Sequence, residues 1–190
     1  MGAPFTVPRH QLSISDFYKM VEVGILREDS RIELIEGELI EMAPIGGAHM
    51  RTVNALNMML ARQVGDKAIV SPQNPFAMSD KNAPQPDLAL LRPDYAGQLP
   101  TASDVLLVIE VADTTLIYDR DTKIPLYARY DIPEAWLFDV QRQSLSIYLD
   151  PSADGYRKQR SPMKSDTVSP SLLPAVHIKP SLALAIALRR

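Results

Sequence analysis

Two acidic residues and one lysine lie where their side chains could together carry out metal-dependent chemistry. Asp87 opens an apolar run, Glu110 closes the next apolar run, and Lys123 follows on a predicted helix. Short apolar runs bounded by turn-forming residues are typical of buried strands. Carboxylates on neighbouring buried strands repel each other unless a cation or a proton lies between them. A hard metal ion with a nearby lysine accounts for all three residues, and that combination favours phosphodiester hydrolysis.

Each of these residues also has an ordinary structural interpretation. Asp87 could begin a turn, Glu110 could face water at a strand end, and Lys123 could be a solvated surface lysine. Their combination in this order is what favours a site.

The chemistry expected of this set is that of magnesium, for which manganese could substitute. Magnesium takes one or two carboxylates, and waters and substrate phosphate complete its coordination. Asp87 and Glu110 would supply the carboxylates, and the backbone carbonyl of Val111 could add a third oxygen. The metal would polarise the phosphate and help to ionise the attacking water. Lys123 would stabilise the developing charge or position that water.

Composition excludes several other classes. The 190 residues include no cysteine, so disulfides and thiolate metal sites are absent from the sequence. The three histidines show no zinc-ligand spacing, and neither a Gly-x-Ser-x-Gly nor a P-loop motif occurs. The N-terminus lacks the features of a signal peptide, and the longest apolar runs are too short to cross a bilayer. We therefore expect a cytoplasmic protein without membrane association.

Charge bears on possible nucleic-acid partners. The net charge of −3 argues against non-specific coating of nucleic acid, but acidic metal ligands would themselves lower the total. A basic patch could still dock phosphates, and the alternative is a strand edge protected by charge. Its candidate residues are Arg157, Lys158, Arg160 and Lys164.

The patterns of apolar and turn-forming residues predict one α/β (α+β) domain over 12–190, preceded by a flexible arm over 1–11. Helices are predicted at 13–23, 48–64, 121–130 (with Pro125 in its first turn) and 182–188. Strands are predicted around a turn within 31–42, and then at 68–70, 75–78, 87–91, 105–111, 135–140, 144–149 and 175–178.

These residues resemble the PD-(D/E)XK nuclease superfamily and, more narrowly, the bacterial putative restriction endonuclease family, formerly a domain of unknown function. The matching pieces lie between about residues 12 and 150, and include Glu-Leu-Ile-Glu-Gly at 33–37, His49, Pro86-Asp87, Val-Ile-Glu-Val at 108–111, and 119–123. The resemblance implies a restriction-endonuclease-like core: a central mixed β-sheet flanked by helices, with an N-terminal helix and a β-hairpin. It also implies DNA as substrate, with Asp87 and Glu110 as metal ligands.

The chain departs from the plain superfamily motif at Ala112, which occupies the usual position of the lysine. The resemblance implies that the lysine comes instead from the following helix, as Lys123. Asp113 would add a third acidic side chain near Asp87 and Glu110. Glu33 and His49 would correspond to an outlying acidic position and its neighbourhood. Glu33 could instead be a cross-strand charge, and His49 could make a helix-start hydrogen bond.

The leading hypothesis is a magnesium-dependent DNA endonuclease that works as a homodimer, because one site cuts one strand of a duplex. The N-terminal arm, which includes Phe5 and Val7, or the segment 182–188 could cross to the second copy. One alternative is a catalytically silent binding or assembly protein that keeps the fold. Another is a hydrolase of small phosphodiesters.

Overall fold

A six-stranded mixed sheet forms the centre of the computed structural model, which describes residues 9–27 and 29–187. The strands are β1 Ile32–Ile35, β2 Glu38–Glu41, β3 Ile69–Pro72, β4 Leu88–Leu91, β5 Val105–Ala112, β6 Glu134–Asp139, β7 Ser144–Leu149 and β8 Lys158–Arg160. The sheet order is β3-β4-β5-β6-β7-β8; β5 and β6 are parallel and the other neighbours are antiparallel. Strands β1 and β2 form a separate hairpin.

Helices lie on both faces of the sheet. They are α1 Ile14–Glu22, α2 Gly47–Val64, α3 Leu116–Tyr118, α4 Ile124–Arg129 and α5 Pro180–Ala187. A π-helical turn, Asp119–Lys123, joins α3 to α4 without a break. The predicted fold class is confirmed: a central mixed sheet flanked by helices, with an N-terminal helix and a hairpin.

Side-chain alternation along β5 divides the core into two layers. All eight residues of β5 are buried. Leu107, Ile109 and Val111 pack with α2 and α5 on one face, while Val108 and Ala112 pack with α4 on the other. Because successive side chains of a strand point to opposite faces, Glu110 lies on the α4 face.

The helix predicted at 48–64 is confirmed, and its apolar stripe of Val53, Leu56, Leu60 and Val64 is buried. Helix α5 packs in the same core layer of its own chain. Ala183, Leu184 and Ala187 are buried on their own chain while Leu182 is 54% exposed, so the crossing of 182–188 to a second copy stays a prediction. Phe5, Val7 and Leu188 lie outside the described residues.

The N-terminal elements are fastened to the hairpin. Ser13 caps α1, and the helix ends before Gly24, which has φ +77°. Gly37 also has a positive φ, and a Cβ at this position would come within 2.6 Å of Gln11. Arg9 forms an ion pair with Glu38, so residues 9–11 contact the hairpin rather than extending freely.

Two predicted strands are absent from the described part of the chain. Residues 75–78 make only a single bridge from Ala77 to Thr101, and 175–178 only one from Ile178 to Val168. Their apolar alternation reflects burial against the core without strand pairing. The helix predicted at 121–130 begins earlier, at Leu116, so Pro125 lies in the interior of the helical segment and not in its first turn. None of the helices in the described ranges has both the length and the apolar character needed to cross a membrane.

Candidate functional site

Asp87 lies directly before β4, and alternation with Ala89 places it on the α4 face of the sheet. Its Oδ2 atom accepts a hydrogen bond of 2.8 Å from the backbone N–H of Val111. This hydrogen bond holds the Asp87 carboxylate beside the end of β5, because Val111 is the residue that follows Glu110. The antiparallel pairing of β4 with β5 thus brings the two predicted metal ligands to one place.

Glu110 is only 3% exposed. Its Oε1 atom is 2.8 Å from Nζ of Lys123 and accepts a hydrogen bond from the hydroxyl of Tyr127. Burial raises the pKa of the Glu110 carboxyl to about 8 against the opposing charge of Lys123, and the charges of Asp119 and Asp87 add to the rise. The Glu110 carboxyl therefore holds a proton more readily than an exposed glutamate does.

Lys123 is 2% exposed, at the end of the π-helical turn. Its Nζ atom lies 2.8 Å from Glu110 and 3.3 Å from Oε2 of Glu33. Burial lowers the pKa of the ammonium, but Glu110 and other nearby groups outweigh it and raise this pKa well above the usual value. The lysine is consequently a fixed buried cation between two carboxylates, and a solvated surface position is excluded.

Glu33 is buried on β1 and is held by three groups. Its Oε1 accepts from the Tyr118 hydroxyl at 3.0 Å, and its Oε2 accepts from the backbone N–H of Gln85 at 3.1 Å and contacts Lys123. Its partner in the hairpin register is Ile40, so the interpretation as a cross-strand charge is wrong.

His49 lies in the first turn of α2, and its Nε2 atom is 2.9 Å from Oδ1 of Asp87. Burial lowers the pKa of His49, but the hydrogen bond and the charge of Asp87 raise it above the usual value. The Nδ1 atom is buried and finds no hydrogen-bond partner within 9–27 and 29–187. The histidine thus holds one oxygen of Asp87, and Val111 holds the other.

All five predicted catalytic side chains line one cleft of about 880 Å³. The lining is strongly acidic, with seven carboxylates against three lysine or arginine side chains. The acids are Glu33, Glu41, Asp87, Glu110, Asp113, Asp119 and Asp121, and the bases are Arg31, Lys123 and Arg142. Such an excess attracts cations.

The residues of the cleft fit a magnesium ion held by few protein ligands. In the described ranges, no group of three or more histidine, aspartate or glutamate side chains could hold a metal. However, two carboxylates with waters suffice for magnesium. The contacts of Glu110 with Tyr127 and Lys123 both fall on its Oε1 atom, which leaves Oε2 to face a ligand. The carbonyl of Val111 lies on the same strand edge as its N–H, which faces Asp87.

Two tyrosines of the site were not predicted from the sequence, and Asp119 was indicated only as part of the matching stretch 119–123. Tyr127 had the spacing of an inward-facing core residue, and its hydroxyl in fact contacts Glu110. Tyr118 contacts Glu33, and Asp119 accepts from the Thr115 hydroxyl at 2.6 Å. The spacing of four residues between Lys123 and Tyr127 would have placed both on one helix face.

The basic patch predicted at 157–164 lies elsewhere. Strand β8 is at an edge of the sheet, three strands from β5, on the order of 14 Å away. Arg157 and Lys158 both lie near the carboxylate of Asp150, at 3.7 and 3.3 Å. This geometry favours the alternative interpretation, a charged edge that discourages strand pairing.

Comparison with known proteins adds two findings. The family model Uma2, described as "Putative restriction endonuclease", matches residues 14–185. A crystal structure described as "a putative nuclease belonging to DUF820" from Anabaena variabilis ATCC 29413 matches with a TM-score of 0.72 and 16% sequence identity, covering 93% of this chain and 99% of that chain. At that identity the structural match shows a shared fold. No curated protein matches the chain.

Proposed function

Because the chain belongs to the Uma2 family of putative restriction endonucleases, we propose that it is a metal-dependent DNA endonuclease that hydrolyses phosphodiester bonds. The metal would be Mg²⁺, with Mn²⁺ able to replace it. Asp87, Glu110 and the carbonyl of Val111 would hold the ion. When bound, the ion would supply Lewis-acid activation of the phosphate and of a water.

The roles of the remaining side chains follow from their contacts. Lys123, with its ammonium beside Glu110, would position the attacking water or offset the charge that develops on the phosphate. Glu33 would hold Lys123 in place, since it contacts the same ammonium. His49 would orient Asp87 through its hydrogen bond to Oδ1.

The observation that carries the proposal is the buried ammonium of Lys123, which lies between Glu110 and Glu33. Replacing a buried ion pair by apolar residues is often neutral or stabilising, so fold stability alone gives little reason for this arrangement. A fixed cation beside two carboxylates in an open cleft is, by contrast, what phosphoryl chemistry requires.

Cleavage of supercoiled DNA tests the proposal directly. We expect the wild type to nick or linearise plasmid in Mg²⁺ or Mn²⁺ and to be inactive in excess chelator. Asp87→Asn should be inactive, whereas Asp150→Asn, at the distant charged edge, should cleave as the wild type does. A wild type that leaves DNA intact in both metals would contradict the proposal.

A catalytically silent nuclease-fold protein remains the second candidate. The observation that favours it is Ala112, which is buried at the position where the plain motif has its lysine. Such a protein would bind DNA in Mg²⁺ without changing its length or topology. Binding and cleavage assays on the same preparation separate the two candidates.

A further inference from the structure

Glu110 accepts hydrogen bonds from two donors on the same oxygen, and both donors belong to one helical segment. The Nζ atom of Lys123 lies 2.8 Å from Oε1, and the hydroxyl of Tyr127 donates to that same atom. The two donors are four residues apart, so they project from one side of the segment. Each carboxylate oxygen offers about two acceptor positions, and these donors therefore fill both positions of Oε1.

Tyr127 reaches the carboxylate from the core, on the side away from the cleft. The side chain of Tyr127 is completely buried, whereas Glu110 lines the cleft. The ring of Tyr127 stacks on that of the buried Phe76, with 6.1 Å between ring centroids and 22° between the ring planes. Packing therefore holds the hydroxyl behind Glu110, where it can act on a substrate or a cation only through that carboxylate.

The two donors determine how many oxygens Glu110 offers to a cation. With Oε1 occupied, a cation in the cleft meets Oε2 alone. Magnesium demands near-ideal octahedral geometry and is bound through one or two carboxylates, with waters completing its shell. Calcium takes about six to eight oxygens and accepts both oxygens of one carboxylate. A glutamate that offers a single oxygen therefore favours magnesium over calcium.

We propose that Tyr127 is a positioning residue that, together with Lys123, restricts Glu110 to binding a cation through Oε2 and so makes the site selective for Mg²⁺ over Ca²⁺. The inference rests on the proposed function and adds what sets its choice of metal. Packing alone does not account for a tyrosine here, because a phenylalanine would stack on Phe76 equally well. Removing a group that hydrogen-bonds to a metal ligand typically lowers metal affinity by about 10–100-fold.

Calorimetric titration of the protein with MgCl₂ and with CaCl₂, without DNA, tests this inference. Tyr127→Phe keeps the ring on Phe76 and removes only the hydroxyl, which frees one acceptor position of Oε1. We expect the affinity for Mg²⁺ to fall about tenfold while that for Ca²⁺ changes by less than about twofold. Tyr156→Phe is the matched control, because its hydroxyl donates to the backbone carbonyl of Ile132 at 2.8 Å. Both affinities of this control should equal those of the wild type.

Phe76→Leu provides a second variant, which carries the test if loss of the hydroxyl prevents folding. It loosens the ring of Tyr127 but keeps the hydroxyl, so the ratio of the two affinities should shift in the same direction by a smaller factor. An equal loss of affinity for both metals in Tyr127→Phe would show a merely structural role and overturn the inference, as would an unchanged ratio. A shifted ratio in a protein that leaves DNA intact in Mg²⁺ would support the role of Tyr127 and contradict the endonuclease proposal.

Discussion

At the scale of single residues, the central feature is a lysine enclosed by acids. Removing the ammonium by Lys123→Met leaves the buried Glu33 carboxylate without its cation, and breaking a buried pair in this way costs about 3–5 kcal/mol. We expect a lower melting temperature together with a loss of cleavage of at least about a hundredfold. Lys123→Arg should keep the charge and still fail to cleave, because a planar fork replaces a compact ammonium.

A double variant separates the structural effect from the catalytic one. Lys123→Met with Glu33→Gln removes one charge of each sign and should recover much of the melting temperature. Cleavage should stay absent, because no ammonium remains beside Glu110. Wild-type cleavage by Lys123→Met would show that the lysine has no role in the reaction.

Metal binding is the second property that belongs to this scale. Asp87→Asn keeps an oxygen for the N–H of Val111, so the fold should survive while the ligand charge is lost. In the wild type, Mg²⁺ at a hundred times its dissociation constant should add about 2.7 kcal/mol of stability. That increment should vanish in Asp87→Asn and in Glu110→Gln, as followed by thermal melting and calorimetry. Equal metal affinity in all three proteins would remove these residues from the ligand set.

Stability of the metal-free protein should depend on the protonation of Glu110. Its pKa is about 8 in the fold against a usual value of 4.5, so between these values the folded state binds more protons than the unfolded state. The free energy of unfolding should therefore fall as pH rises through this window. Glu110→Gln stays neutral and should flatten this dependence in urea titrations with chelator present. An unchanged pH dependence would mean that Glu110 is ionised throughout.

The sequence predicted the acidic and basic members of the site because their residue types are rare at buried positions and costly without partners. All five predicted side chains do line one cleft. This reasoning could not predict Tyr127 and Tyr118, because a buried tyrosine is also common in an ordinary apolar core. Only the contacts of their hydroxyl groups with Glu110 and Glu33 place them in the site.

At the scale of elements, the π-helical turn accounts for the placement of Lys123. Pro125 has no N–H, and its ring would clash with the carbonyl of Asp121 in a regular helix. The N–H of Ile124 instead donates to the carbonyl of Asp119, five residues earlier. This wider turn leaves both Asp119 and Lys123 buried at the site. A proline therefore helps to set the position of the proposed catalytic lysine.

Pro125→Ala tests that relation. With the ring gone, the segment can adopt regular helical hydrogen bonds, which shifts Lys123 relative to Glu110. We expect cleavage to fall about tenfold while the melting temperature does not decrease, because alanine favours helix. Pro93→Ala, in an exposed loop, is the control for general loss of proline. Unchanged cleavage by Pro125→Ala would show that the ion pairs alone hold the turn.

Among the elements, the central strands and α2 could be predicted because the spacing of their apolar residues in the sequence matches the residues that are buried in the fold. The segment 75–78 shows the limit of that reasoning: Phe76 and Met78 alternate as in a strand and are buried, yet they pair with no ladder. The periodicity of a sequence predicts which side chains are buried. Whether a segment forms a β-strand depends also on having an adjacent strand to pair with, and only the folded chain shows that. The π-helical turn escaped prediction for the same reason, because a proline at 125 also fits the start of a helix.

At the scale of the whole molecule, both sheet faces carry an apolar core layer, and one of them also carries the acidic cleft. The face covered by α2 and α5 is a continuous apolar core. The opposite face carries the acidic cleft at one end of β5, beside the hairpin and α4. Substitutions in the site can thus alter charge on one face while the core on the other face maintains the fold.

Cleavage of both strands of a duplex region requires two sites related by a two-fold axis, and this chain carries one. We therefore propose an isologous homodimer, with an interface of standard size burying on the order of 800 Å² per subunit. One face of α5 packs on its own chain, so only its outer face, with Leu182 54% exposed, is open to such a contact. Light scattering at micromolar concentration should give about 42 kDa, twice the chain mass of 21.1 kDa. A stable mass near one chain, with products nicked in one strand only, would refute the dimer and leave the single site as the unit of action.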